Sequence, residues 1–178
     1  MTSMRNHIIA VTLFSVMMLL ATACIPENRV DKTKFAELNQ TALELRTVIT
    51  SSRPCDVPDA LVQKLASGIA AVRDRASSMA EREVITAYSN LLTTYRDGML
   101  LCRSRTHLAQ FTFVPKGRIY VTQEIDPIVE RYDLATEKQL YKPTGQIWRS
   151  IDGNSMMVIW ESAVSQTQNV DFLVNYNQ

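Results

Sequence analysis

The chain has 178 residues, 19 basic against 18 acidic, and only five glycines. A near-neutral balance argues against nucleic acid as partner, because phosphate binding needs a strong basic excess, and against recruitment to anionic lipid by charge alone. Few glycines, with a rich supply of Leu, Ala, Met, Glu, Lys and Arg, favour helices over a loop-rich or sandwich fold.

The first residues carry one positive charge, Arg5, then an apolar stretch over residues 8–23, then Leu20-Ala21-Thr22-Ala23-Cys24 at its end. That is the layout of a secretory signal peptide. A run of about 16 residues is shorter than the roughly 20 that a spanning helix needs. The residues around Cys24 resemble the lipobox of bacterial lipoproteins, with Ala21 where the family usually has Leu. The same letters, Ala21-Thr22-Ala23, also satisfy the A-x-A rule of ordinary signal cleavage, which leaves plain secretion as the alternative.

There are three cysteines. Cys55 and Cys102 can pair, which leaves Cys24 over at the one position where a lipid-carrying cysteine is useful. The resemblance implies a diacylglycerol on the Cys24 thiol and an acylated amine, and two or three chains make attachment stable. Ile25 stands where enteric bacteria place an inner-membrane retention Asp, so the resemblance implies the periplasmic face of the outer membrane over the inner membrane. The expected organisation is a signal peptide at 1–23, a lipidated tether at 24–33 and one helical domain at 34–178. Arg5 is the only charge in the signal, so the remainder is balanced, 18 against 18.

The first helix is predicted over about residues 31–51, where Phe35, Leu38, Ala42, Leu45 and Ile49 recur at three and four residues. A second begins near Pro58, with Asp59 well placed against the helix dipole and Leu61, Leu65, Ile69 and Val72 as its stripe. Ser77-Ser78 breaks the pattern and offers an N-cap for a third helix. Its face is Val84, Tyr88, Leu91, Leu92, Tyr95, Met99 and Cys102, and it carries Gly98 at a cost of about 1 kcal/mol relative to Ala. If the second and third helices turn back near Ser78, Cys55 and Cys102 lie at nearly equal distances from the turn and come side by side. Their crosslink closes a loop worth about 4 kcal/mol in the chain-entropy account.

Beyond Arg105, two regions read either way. Residues 111–121 (Phe111 to Val114, a turn at Gly117, then Ile119 to Val121) could form a β-hairpin. Asp126-Pro127 resembles a capped helix start, continuing through Ile128, Val129 and Tyr132. Lys142-Pro143-Thr144-Gly145 is a break. Residues 146–160 could be a hairpin around Asp152-Gly153. However, Met156, Trp160, Ala163, Thr167, Val170 and Val174 keep a helical period too long for a strand, and a helix over about 155–175 is expected. The fold class expected is mainly α, a helical bundle with a disulfide-clamped antiparallel helix hairpin. The alternative is α+β with one or two β-hairpins in the C-terminal half.

Catalytic chemistry is poorly supplied. His107 is the one histidine after the signal and sits between cations, as a helix-end surface histidine would. With no spare cysteine there is no zinc set and no Cys–His nucleophile, and Ser104 lacks a nucleophile elbow. Glu124/Asp126 and Glu130/Asp133 are close-spaced acids of the kind that usually face solvent. No catalytic residue, metal or cofactor is expected. The residues proposed to meet a partner are Arg103, Arg105, Trp148 and Trp160, with Tyr132, Tyr141 and Tyr176 as further aromatic positions. The sequence reads as a membrane-anchored envelope lipoprotein that binds a protein partner or organises an assembly. A small apolar ligand or lipid carrier is the alternative, and an envelope hydrolase comes third.

Overall fold

The computed structural model describes residues 29–51, 55–108, 116–141 and 144–176. Five helices and a small antiparallel sheet follow in chain order: α1 (Lys32–Thr50), α2 (Asp59–Arg73), α3 (Met79–Leu108), β1 (Arg118–Tyr120), α4 (Asp126–Arg131), β2 (Thr136–Tyr141), β3 (Gln146–Asp152) and α5 (Met156–Tyr176). The sheet order is β1-β3-β2. The protein is mainly helical, as the periodicity implies, with the sheet that the α+β alternative allows.

Each long helix buries the stripe its sequence announces. On α1 these are Phe35, Leu38, Ala42, Leu45 and Ile49; on α3 Val84, Tyr88, Leu91 and Tyr95; on α5 Met156, Trp160, Ala163, Thr167, Val170 and Val174. On α2 the buried face is Val62, Leu65, Ile69 and Val72, so Val62 takes the place expected for Leu61, which stays at the rim. Pro58 stands one residue ahead of α2, and its carbonyl accepts from the Leu61 and Val62 amides. Helices α1 and α5 run antiparallel: Lys32 Nζ donates to the Asn175 carbonyl at 2.8 Å and Asn39 Nδ2 to Asp171 at 3.0 Å.

The hairpin of α2 and α3 forms around the short connection 74–78. Its open end is closed by the Cys55–Cys102 disulfide, with Cα atoms 5.5 Å apart. Met156 Sδ packs 3.5 Å from Cys55 Sγ and 3.6 Å from Cys102 Sγ, so the first turn of α5 is seated on the crosslink. Gly98 lies where α3 meets α5. A Cβ there would fall 2.4 Å from Cη2 of Trp160, so the glycine admits the indole. The helix-propensity cost of Gly98 is the condition for burying Trp160, which is 2% exposed and tilted against Tyr95.

Three readings are decided by the structure, the first and third of them as corrections. The tether expected at 24–33 is folded from Arg29 onward: Val30 is buried, Asp31 caps α1 by accepting from the Thr33 amide, and the Arg29 carbonyl accepts from Ser78 Oγ. Its polar letters suggested linker because their partners lie some fifty residues away. Second, of the two readings open at residues 146–160, the expected helix over about 155–175 forms, as Met156–Tyr176, and the hairpin around Asp152-Gly153 does not. Residues 146–152 are strand, but Met156 opens a helix, and β3 pairs instead with β1 (Ile119↔Ile151) and with β2 (Leu140↔Ile147). Strand β2 was not expected. Third, the N-cap of α4 is Ile125; Asp126 lies inside the helix and its carboxylate accepts from Arg149 at 2.7 Å. In the hairpin expected at 111–121, the strand part at Ile119 and Tyr120 is present and pairs with β3, while residues 111–114 lie outside the described residues. So do the signal, Cys24 and Pro143.

Candidate functional site

Among the described residues the most buried charge is Glu81, 1% exposed in the first turn of α3. Its carboxylate accepts from Lys34 Nζ (2.8 and 3.0 Å), the Ser77 amide (2.7 Å), Ser77 Oγ (3.1 Å) and the Asp31 amide (3.3 Å). Its own amide donates to Ser78 Oγ at 3.1 Å. This is a capping-box arrangement extended across helices. Burial alone pushes the carboxyl up, but the bonds from Lys34, Ser77 and Asp31 outweigh it and hold Glu81 at about 2. With every lone pair satisfied, the group is a fastening and not an acid or base. The sequence does carry the signal, in the Ser78-x-x-Glu81 spacing.

The other acids offer no converging chemistry. Asp126 is paired with Arg149, Glu124 and Glu130 are exposed, and Asp133 ends α4 at φ 48°. Asp97 receives Arg131 and the Tyr132 hydroxyl, which ties α4 to α3; burial raises the Tyr132 hydroxyl. Among the described residues, no group of three or more His, Cys, Asp or Glu could hold a metal ion. His107 lies on α3, and neither its side chain nor that of Tyr141 is among those described.

The four proposed contact residues do not share one surface. Arg103 pairs with Asp59 at the start of α2, beside the disulfide. Two residues on, Arg105 faces away from it, with its Nε 3.5 Å from where a Cβ on Gly153 would lie. Trp148 is half-buried on the sheet, edge-on to Tyr120 at 4.7 Å between centroids. Trp160 is core, so its role as an exposed contact is corrected: the gap at Gly98 lets it go inside.

What Trp160 does reach is the floor of a groove. Where α1 ends and α5 begins, Ile49, Thr50, Ser51, Met157, Trp160 and Val164 line an open depression of about 710 Å³, with Glu161, Ser165 and Gln168 along one edge. It exists because the apolar arc of α5 is wider than the stripe it buries. Met157 and Val164 sit one residue beyond Met156 and Ala163, and α1 stops before covering them. Met157 is 44% exposed. A second exposed apolar feature is Leu140 opposite Ile147 on the β2–β3 hairpin, on the face that lower down carries buried Ile151. Neither could be read from the sequence, because each is defined by a neighbour that stops short.

Among the described residues no helix is long and apolar enough to cross a membrane. Compared with protein-family models, with curated proteins and with solved structures, the chain matches none.

Proposed function

We propose that this protein is an envelope lipoprotein, acylated at Cys24, that works by holding a protein partner in the α1–α5 groove. The observation that carries this reading is the groove itself: apolar, open along one side and edged by polar residues. An enclosed cavity would suit a carried lipid or small molecule. An open trough between two helix ends suits an amphipathic segment of another protein, with a flexible methionine adapting to it. The disulfide agrees with export, since such crosslinks persist in oxidising compartments. Residues that merely line the trough add little each, and the anchors to test are Met157 and Val164.

A photo-crosslinking side chain placed at Met157 in living cells should trap one protein species, and the same group at exposed Glu83 on α3 should not. Met157→Asp and Val164→Asp should abolish that capture while circular dichroism shows an intact fold. Trapping only lipid at Met157 would transfer the reading to the carrier, and identical adducts at both positions would refute the groove.

A further inference from the structure

The end of the bundle where the described chain begins has a surface of its own. The start of α1, the 74–78 connection and the last turn of α5 meet there: Arg29 is held by Ser78, Lys34 Nζ donates to the Arg75 carbonyl at 3.2 Å, and Lys32 reaches Asn175. Three large apolar side chains project from this end. Met79 is 69% exposed, Phe172 57% and Tyr176 70%. The two rings stack on each other, 5.5 Å between centroids, instead of on the core. Among the described residues they are the exposed large aromatics. The exposed side chains of Lys32, Arg75 and Arg82 stand nearby, along with the acids Asp74 and Glu83.

A ring pair with a methionine, bordered by long cationic stems, is the composition of a protein surface at lipid headgroup level. The length of chain ahead of the fold supplies the second argument. Cys24 is five residues before Arg29, so a fully extended chain separates them by at most about 18 Å. An acylated Cys24 must sit at the leaflet surface, which keeps this end of the bundle, and no other, within reach of it.

We infer that this end is a membrane-contacting face: Met79, Phe172 and Tyr176 enter the headgroup region of the leaflet that holds Cys24. The helices then stand upright, with the groove directed away from the bilayer. From Met157 to Tyr176 the rise along α5 is about 28 Å, which sets the height of the groove above the lipid. This inference rests on the acylation of Cys24 stated above.

The test uses the full chain with its native anchor in phosphatidylethanolamine/phosphatidylglycerol vesicles whose acyl chains carry bromine, a short-range quencher of tryptophan. Phe172→Trp and Met79→Trp report on the proposed face, and Ile147→Trp on the far hairpin; Trp148 and Trp160 give the same background in all three. Quenching should be at least about threefold stronger at positions 172 and 79 than at 147, as expected for rings at headgroup level against one held well above it. Equal quenching in protein that still floats with the vesicles would overturn the contact face and leave the anchor standing. If the purified protein carries no lipid, the anchor reading fails. The same variants coupled through the Cys24 thiol to a maleimide phospholipid then decide the face by the same ratio. Unquenched reporters together with a crosslinkable dimer through Phe172 would assign the surface to a second copy and refute the bilayer.

Discussion

The two ends of the α2–α3 hairpin are fastened in opposite ways. At the turn, Glu81 gathers Lys34, Ser77 and Asp31 into one polar knot that joins α1 to α3 without a covalent bond. At the open end, a disulfide joins the residues before α2 to α3, and Met156 of α5 packs on the sulfurs. The first fastening responds to protons and is indifferent to reductants; the second is the reverse. Helix α3 spans both, so one rigid element is held at two points by two kinds of chemistry. The comparison teaches that a bundle with few long-range constraints places them at its extremities, where helix ends would otherwise fray.

Breaking the covalent end should have the largest effect. The double substitution Cys55→Ala/Cys102→Ala should lower stability by about 2–4 kcal/mol, because a loop spanning 47 residues is freed in the unfolded chain. Urea unfolding with and without reductant checks this: reductant should shift the parent midpoint and leave the double variant unchanged. A parent unaffected by complete reduction would refute the clamp.

The polar end comes next. Glu81→Gln should cost about 2–3 kcal/mol at neutral pH, since Lys34 and the two backbone amides lose a charged acceptor. The sign with pH follows from the direction of the shift. A carboxyl held at about 2 against its ordinary 4.5 stabilises the fold in full above pH 4.5 and loses that contribution as pH falls toward 2. Acid unfolding of the parent should therefore steepen in that window, and Glu81→Gln should remove most of the difference. The two fastenings share no partner, so combining their substitutions should give additive losses.

The smallest effect belongs to the middle. Gly98→Ala improves helix propensity by about 1 kcal/mol but drives a methyl into the Trp160 ring, an overpacking cost of about 1–3 kcal/mol. A net loss of roughly 1 kcal/mol is expected, insensitive to both pH and reductant. A stabilised Gly98→Ala protein would show that Trp160 can move aside.

How far the sequence could be read depended on the range of the forces involved. The stripes of α1, α3 and α5 were legible because a period of 3.6 residues sustained over many turns has one interpretation. The Cys55–Cys102 pair was legible because counting residues from a turn is a geometric operation on antiparallel helices. Strand β2 was not, since residues 136–140 bury no alternating face and the strand owes its existence to pairing with β3. The start of α1 was legible to within a residue, but the packing of residues 29–31 was not, because Glu81, which receives the Asp31 amide, and Ser78, which donates to the Arg29 carbonyl, lie some fifty residues on. Of the candidate contact residues, Trp160 went inside for a reason held at Gly98, 62 positions earlier. The groove was invisible for the same reason: nothing in the letters of α5 says that α1 ends at Thr50.

That groove is walled by α1 and α5, the first and last of the described helices. The bonds that join them, Asn39 to Asp171 and Lys32 to Asn175, link positions 132 and 143 residues apart. The α2–α3 hairpin closes through a connection of five residues and can form on its own neighbours, whereas α1 must wait for α5 to be made. Such distant pairings are the slow part of folding, because their loop entropy is spent before any contact returns it. The trough therefore has no second wall until α5 has been made and has packed on α1.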